Sequence, residues 1–294
     1  MGMIDGRTRL VGLMGWPVAH SFSPAMHNAA ADALGINLAY VPLPVPPGEV
    51  ETAVRGLASL GFLGANVTVP HKQAVIPWLD ELEDGARIIG AVNTIVVQRA
   101  HHTIRLKGYN TDWAGFLADL EALQVAVRDR DCLVLGAGGS ARAVVYALAA
   151  AGGRVWVLAR REEQAVALVA ALSPHFRGGV LQGGALTALR DVIGELTGPL
   201  VVNTTPLGMM PNTGGSVWPE DVPFPRGAFA YDLVYNPPET RFMRQSHQVG
   251  CRSAGGLGML VAQGALAFRL WTGAVPDTAV MRRAIRRLLA ERNS

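Results

Sequence analysis

Length, composition and charge already exclude several classes of protein. The chain has 294 residues, of which 50% are hydrophobic and 17% charged, so it has enough apolar sequence for one large or two smaller packed domains and is not a disordered chain. The formal net charge of +3 is too small a surplus to indicate binding to nucleic acid or to an anionic membrane.

The N-terminal residues and the longest apolar stretch point to a cytoplasmic protein. The first residues mix acidic and basic side chains without a long apolar run, so we expect no secretory signal. The stretch 143–159 is interrupted by Gly152, Gly153 and Arg154, so we expect no membrane span. Cys132 and Cys251 have neither the spacing of a metal site nor the number needed for a disulfide framework. We therefore predict two buried thiols and no bound metal.

The first part of the chain alternates predicted strands and helices. Ser23 is the expected N-cap, and Pro24 the first residue, of a helix that should end at Gly35. The last two strands of this part flank a short polar segment and predict a hairpin with His101 and His102 at a solvated tip. The apolar runs predict strands at 10–14, 37–43, 65–69, 92–98 and 103–109.

A second series begins at Asp131. A buried strand at 132–135, a glycine-rich turn, an alanine-rich helix and a strand at 154–159 form a βαβ unit. The segment 178–227 is rich in Gly, Pro and Thr and is the least predictable. Further strands are predicted at 200–203 and 229–233, and final helices at 258–271 and 278–289.

The glycine-rich turn has the spacing of a dinucleotide-binding fingerprint. Glycines let backbone N–H groups approach a pyrophosphate, and a helix N-terminus favours its negative charge. Because the turn lies between a predicted strand and a predicted helix, we expect it to bind a nucleotide; a purely structural glycine turn is the alternative. The turn consists of Gly136, Ala137, Gly138, Gly139, Ser140 and Ala141.

The next strand ends in two arginines. A site for the ribose diol of NAD would carry Asp or Glu at this point, whereas this chain has Arg160 and Arg161. Two guanidinium groups suit a 2′-phosphate by charge and by planar geometry, which favours NADP. Glu162 and Glu163 follow directly, so NAD stays possible.

Several polar clusters of the first part follow or precede predicted strands. Taken singly, each is more often a turn or a helix cap, and capping explains Ser23 but leaves Ser21 unexplained. Together they offer the donors and acceptors that a polyhydroxylated substrate needs. The clusters are Ser21 with Ser23, and residues 66–72, 90–94 and 108–112.

These motifs resemble the shikimate dehydrogenase family, and the resemblance runs nearly from end to end. Such enzymes reversibly reduce 3-dehydroshikimate to shikimate with NADPH, on the route to chorismate and the aromatic amino acids. Eight ordered segments are similar to the family pattern: 15–24 with 27–28, 66–72, 90–94, 110–112, 136–143, 203–209, 232–237 and 258–263.

The resemblance implies an α/β fold with two α/β domains. A substrate-binding and catalytic domain of residues 1–112 would be completed by C-terminal helices within 257–294. Residues 113–256 would form a Rossmann-type NADP-binding domain with a parallel sheet.

The resemblance also implies roles for single residues. Lys72 would be the general acid in ketone reduction and the general base in the reverse direction, with Asp112 orienting it. The other substrate-binding residues would be Ser21, Ser23, Thr68, Asn93, Tyr235 and Gln263. Cofactor contacts beyond the glycine-rich turn and the two arginines would come from Thr204, Leu233 and Gly256.

One departure from the family pattern affects the cofactor. The family usually shows Asn-Arg-Thr where this chain has Ala159, Arg160 and Arg161, and the chain is here also similar to the branch that oxidises quinate with NAD or NADP. A quinate/shikimate dehydrogenase is therefore one alternative. A non-enzymatic sensor of NADP or of a metabolite is another, although it would not need both Lys72 and Asp112. A monomer and a homodimer are both compatible with the sequence.

Overall fold

The computed structural model describes residues 4–100, 103–176 and 180–293. The predicted hairpin tip at His101 and His102 lies outside the described residues. The chain divides into two compact units, one of Met1–Gly115 with Val261–Ser294 and one of Phe116–Leu260. This division lies within four residues of the predicted domain boundaries at 112 and 256.

Most of the predicted elements are present, and their ends differ from the predicted ones by no more than four residues. The strands are β1 (Arg9–Gly15), β2 (Leu38–Pro44), β3 (Gly64–Val67), β4 (Glu81–Leu82), β5 (Thr94–Ala100), β6 (Thr103–Tyr109), β7 (Asp131–Leu135), β8 (Arg154–Ala159), β9 (Leu181–Ala185), β10 (Leu200–Asn203), β11 (Phe229–Asp232) and β12 (Arg252–Gly255). The α-helices are α1 (Ser23–Ala33), α2 (Val50–Ser59), α3 (Asp84–Ile89), α4 (Asp112–Ala122), α5 (Gly139–Ala150), α6 (Glu162–Leu172), α7 (Leu189–Glu195), α8 (Arg241–His247), α9 (Leu257–Thr272) and α10 (Thr278–Asn293).

The first unit contains a mixed six-stranded sheet in the order β2-β1-β3-β5-β6-β4. β1 pairs in parallel with β2 and with β3, and β5 runs antiparallel to both β3 and β6, which confirms the predicted hairpin. Apolar side chains that include Met14, Val54, Val92 and Ile95 form a core cluster of this unit. Helix α10, from the C-terminal part of the chain, packs against α1.

The start of α1 differs from the prediction. Ser23 is already the first helical residue, and Phe22 stands at the N-cap without a side-chain hydrogen bond. The hydroxyl that serves the helix start belongs to Ser21, whose Oγ accepts the Ser23 backbone N–H at 3.2 Å. The predicted cap at Ser23 was therefore wrong, because an acceptor two residues upstream satisfies the first free N–H.

The second unit is built on a six-stranded sheet that is parallel throughout, in the order β12-β11-β10-β7-β8-β9. The chain leaves β7 toward β8 and later returns to the other side of β7 with β10. This reversal creates a topological switch point beside β7, where open α/β sheets bind ligands. Cys132 and Cys251 are both free and buried, as predicted, and burial raises the pKa of the Cys132 thiol to about 12.

Strand β9 and helix α7 fall inside the least predictable segment, 178–227, and neither was predicted from the sequence. β9 reads Leu-Gln-Gly-Gly-Ala, a glycine-rich sequence of weak strand propensity. It forms a strand because it pairs with β8 from Val155 to Ala159, and this pairing compensates for the weak propensity of its sequence. Among the helices within the described residues, none is both long and apolar enough to cross a bilayer.

Candidate active site

A buried ion pair lies in the first unit. Lys72 Nζ is 2.7 Å from Asp112 Oδ2, with side-chain exposures of 11% and 7%. The backbone carbonyl of Lys72 accepts the Val92 N–H at 2.7 Å, which ties the loop after β3 to the segment before β5. Asp112 is the first residue of α4, where the helix dipole favours a carboxylate. An amine and a carboxylate that are 40 residues apart in sequence thus form one shielded donor-acceptor pair.

Asn93 holds the other oxygen of this carboxylate. Its Nδ2 donates to Asp112 Oδ1 at 2.8 Å, so Oδ2 faces the lysine. The backbone N–H of Thr111 donates to Asn93 Oδ1 at 2.8 Å and thereby determines which way the amide points. Gln263 reaches the same place from α9, with Oε1 3.3 Å from Asn93 Nδ2. Four of the predicted residues therefore share one hydrogen-bonded cluster.

The predicted hydroxyl-bearing residues follow the carboxyl ends of two neighbouring strands of the first sheet, β1 and β3. Ser21 and Ser23 follow β1, and Thr68 follows β3, whose last residue Val67 pairs with Met14 of β1. The Thr68 N–H donates to the Met14 carbonyl at 2.8 Å. β5 begins beside the carboxyl end of β3 because the two strands are antiparallel. Asn93, which precedes β5, therefore lies there as well. Ser21 and Thr68 are half-buried, whereas Ser23 is buried.

Two residues of this cluster were not among the predicted site residues. Thr111 orients Asn93 through its backbone, and Asn110 Oδ1 accepts the Asp112 N–H at 3.1 Å while its Nδ2 donates to the Ala91 carbonyl at 2.8 Å. The signal was the polar run 110–112, in which only Asp112 was assigned a role. Both residues act by orienting their neighbours.

In the second unit, the glycine-rich turn follows β7 at the switch point. Gly136 has φ +111°, and a Cβ there would lie 2.6 Å from Thr204 Oγ1, so only glycine fits. Thr204 follows β10 and donates from Oγ1 to the Leu135 carbonyl at 2.8 Å. Gly138 stands at the N-cap of α5 without a side-chain cap, and the space where its Cβ would be is open. The N-terminus of α5, with its helix dipole, and this space fit a pyrophosphate.

The remaining predicted cofactor residues lie at the carboxyl ends of neighbouring strands. Arg160 and Arg161 are exposed after β8, at the start of α6. Leu233 follows β11, and its N–H donates to the Asn203 carbonyl at 2.9 Å. Gly256 follows β12, and a side chain there would collide with the Leu233 carbonyl. Ala137, Ser140 and Ala141 lie in the turn and the first turn of α5.

A buried carboxyl group that the sequence did not single out shapes the loop after β11. Asp232 accepts hydrogen bonds from Asn203 Nδ2 at 2.9 Å, the Val234 N–H at 3.0 Å and Thr240 Oγ1 at 2.6 Å. Burial raises the pKa of Asp232 to about 6, although the three hydrogen bonds act in the opposite direction. This network secures the loop that carries the half-buried Tyr235. Tyr235 belongs to the second unit, whereas the other predicted substrate residues belong to the first.

Comparison with known proteins identifies the family of the chain. The family model for the shikimate dehydrogenase substrate binding domain matches residues 13–95, and that for the shikimate 5'-dehydrogenase C-terminal domain matches residues 256–286. The shikimate dehydrogenase (NADP(+)) of Moorella thermoacetica is 48% identical over 290 residues, which cover 97% of this chain and 95% of that protein.

Two solved structures are similar over nearly the whole chain. The shikimate 5-dehydrogenase of Thermus thermophilus in complex with NADP(H) and shikimate has a TM-score of 0.82 and 38% identity, covering 95% of this chain and 99% of that one. The quinate dehydrogenase of Corynebacterium glutamicum in complex with NAD has a TM-score of 0.85 and 32% identity, covering 95% and 99%. The chain belongs to the shikimate dehydrogenase family.

Proposed function

We propose that this protein is an NADP-dependent shikimate dehydrogenase that reversibly reduces 3-dehydroshikimate to shikimate. The observation that carries the proposal is the buried pair of Lys72 Nζ and Asp112 Oδ2 at 2.7 Å, found in a chain of this family. A sensor that binds without turnover has no use for a shielded proton donor of this kind, so an enzyme is favoured over a binding module.

We assign the substrate to the first unit and the nucleotide to the second. Ser21, Ser23 and Thr68 offer hydroxyl groups beyond the carboxyl ends of β1 and β3. Asn93 and Gln263 offer amide groups in the first unit as well. These groups suit a carboxylate and ring hydroxyls. In the second unit, the turn at 136–141 suits a pyrophosphate. Arg160 and Arg161 suit a 2′-phosphate, and Thr204, Leu233 and Gly256 border the same strand ends. Tyr235 is proposed as a further substrate contact.

The chemistry follows from the groups in the first unit. NADPH supplies the hydride when it is bound. Reduction places negative charge on the ketone oxygen, and the Lys72 ammonium group donates the proton that neutralises it. In the oxidation direction the neutral Lys72 amine accepts the proton of the alcohol. Asp112 holds the lysine through one oxygen, and Asn93 holds the other oxygen, so the amine has a defined direction from which to act.

A quinate/shikimate dehydrogenase that accepts NAD as well as NADP is a second candidate. Two observations favour it: the similarity to a quinate dehydrogenase in complex with NAD, and Glu162 and Glu163, which stand in the first turn of α6 beside the two arginines. A carboxylate at this strand end can accept the hydroxyl groups of an unphosphorylated ribose.

Steady-state rates with shikimate and quinate, each with NADP+ and NAD+, separate these functions. We expect shikimate with NADP+ to give the highest kcat/KM. Comparable rates with quinate and NAD+ would favour the second candidate, and no turnover with any combination would refute both.

Lys72→Ala tests the proton donor directly. We expect kcat to fall by about 10²- to 10⁴-fold, the usual contribution of general acid-base catalysis. Lys107→Ala is the matched control, because Lys107 also pairs with a carboxylate, Glu81 at 3.4 Å, but lies on strand β6 away from the cluster. Full activity of Lys72→Ala would contradict the assignment.

We also propose that the enzyme works in the cytoplasm, because its substrate and its cofactor are small soluble molecules. A monomer and a homodimer would serve this chemistry equally well. Analytical ultracentrifugation at several concentrations separates the two.

A further inference from the structure

Tyr40 is a fully buried tyrosine on β2 whose hydroxyl group donates a hydrogen bond. Its side chain donates from the phenol oxygen to Asn66 Oδ1 at 2.8 Å, and the residue is 2% exposed. Its backbone is held by Asn28 of α1, which accepts the Tyr40 N–H at 2.8 Å and donates to its carbonyl at 3.0 Å. Both the ring and the backbone of Tyr40 are therefore fixed before its hydroxyl reaches Asn66.

The ring of Tyr40 lies against an aromatic stack. His27 is parallel to it, with ring centroids 4.3 Å apart. Phe268 stacks on His27, and Trp271 meets the His27 ring edge-on. Within the described part of the chain, neither ring nitrogen of His27 has a partner at hydrogen-bond distance and angle. Burial lowers the pKa of His27 to about 3, although the nearby Asn66 side chain acts in the opposite direction. His27 thus acts as a neutral flat ring that confines Tyr40 to one orientation.

Asn66 connects Tyr40 to the catalytic cluster by hydrogen bonds. Its Nδ2 donates to the Asn93 carbonyl and to Thr94 Oγ1, both at 3.1 Å. Thr94 Oγ1 in turn donates to Asn93 Oδ1 at 3.1 Å. The Asn66 amide therefore bridges Tyr40 on one side to both the backbone and the side chain of Asn93 on the other.

We propose that Tyr40 is a positioning residue for proton transfer: through Asn66 it holds Asn93 where its amide can donate to Asp112. The inference rests on the proposed function. Without the hydroxyl, Asn66 Oδ1 stays buried without that donor, which is costly. The amide then shifts toward another donor and releases its hold on Asn93, whose Nδ2 is now 2.8 Å from Asp112 Oδ1. Small displacements of a catalytic cluster lower the rate disproportionately.

Tyr40→Phe removes the hydroxyl and keeps the stack. Tyr231→Phe is the matched control, because Tyr231 is also fully buried and donates to a carboxylate, Asp119 Oδ2, at 2.5 Å, but in the second unit. Both variants should unfold more easily than wild type. Tyr40→Phe should lower kcat for shikimate oxidation by about tenfold with an unchanged KM for NADP+, whereas Tyr231→Phe should keep kcat within about twofold of wild type.

A double-mutant cycle shows whether the effect passes through Asn93. Tyr40→Phe should lower kcat/KM in the wild-type background and have no further effect in Asn93→Ala, because the group that it positions is then missing. Equal losses in both backgrounds, or a kcat of Tyr40→Phe equal to that of Tyr231→Phe, would overturn the proposal. If Tyr40→Phe does not fold, Thr94→Val interrupts the same path, and the same pattern is expected.

The two proposals fail in different ways. A wild-type enzyme that does not oxidise shikimate overturns the proposed function and the role of Tyr40 with it. An active wild type whose Tyr40→Phe variant behaves like Tyr231→Phe overturns the role of Tyr40 alone.

Discussion

Gly115 allows Gln263 to reach the catalytic cluster, and Gly115→Ala should prevent it. Gly115 lies in the first turn of α4, where its N–H donates to the Thr111 carbonyl at 3.0 Å. A Cβ on Gly115 would lie 2.6 Å from the backbone nitrogen of Gln263, 2.7 Å from its Cβ and 2.9 Å from its Cα. Two of these atoms belong to the backbone of α9, so a side-chain rotation cannot relieve the clash.

The size of the effect follows from these distances. Ordinary contact begins at 3.4 Å, so α9 must retreat by roughly 0.8 Å. The hydrogen-bond distance from Asn93 Nδ2 to Gln263 Oε1 is already 3.3 Å, and this retreat breaks it. Overpacking of this kind costs about 1–3 kcal/mol of stability, which outweighs the gain of about 1 kcal/mol from replacing a helical glycine.

The same clash should also slow catalysis. A displacement of about 1 Å in a substrate-positioning group lowers the rate by up to about 10²-fold, so we expect kcat/KM for shikimate to fall by about 10- to 100-fold. The measurements are steady-state kinetics and urea unfolding of the same preparations.

Gly56→Ala is the control for this prediction. Gly56 lies inside α2, and nothing lies within 4 Å of the Cβ that it would acquire, so this variant should be up to about 1 kcal/mol more stable with unchanged kinetics. A Gly115→Ala enzyme with wild-type kcat/KM for shikimate would refute the reasoning.

Three further predictions concern pH and cofactor choice. The pKa of His27 falls from 6.5 to about 3 on folding. As the pH falls between these values, the free energy of unfolding of wild type should therefore decrease by about 1.4 kcal/mol per pH unit. That of His27→Phe should decrease less. The pKa of Asp232 rises from 3.8 to about 6 on folding. The stability that this group contributes below pH 3.8 is therefore lost as the pH rises through 6. The difference in free energy of unfolding between wild type and Asp232→Asn should shrink over that range. Arg161→Ala should raise KM for NADP+ about tenfold and leave KM for NAD+ unchanged, because one charge-assisted contact to the 2′-phosphate is lost.

Each of these has a direct check. Urea unfolding at pH 4, 5 and 7 measures the first two; parallel stability curves for wild type and His27→Phe, or a constant gap between wild type and Asp232→Asn, would contradict the assigned titrations. For Arg161→Ala, equal increases in both KM values would show that the side chain does not recognise the 2′-phosphate.

Signals that are contiguous in sequence were enough to predict the βαβ unit and its glycine-rich turn. β8 and β10 have the predicted bounds, because each contains a continuous apolar run, 155–159 and 200–202, of the kind that a buried parallel strand requires. The requirement for glycine at 136 is also local in part, since the positive φ belongs to the tight turn itself. By contrast, the predicted cap at Ser23 failed because two hydroxyl groups, two residues apart, compete for one helix start, and sequence does not decide between them.

What only the tertiary structure decided is which distant groups meet. Lys72, Asp112 and Gln263 were expected at the site from family resemblance, but their contacts arise from sheet order and from the approach of α9 at Gly115. Tyr40 reads as an ordinary core residue of β2, and its hydroxyl gains a role only because β2, β1 and β3 lie side by side. Such pairings depend on packing between elements far apart in the chain, and no local pattern of residues encodes them.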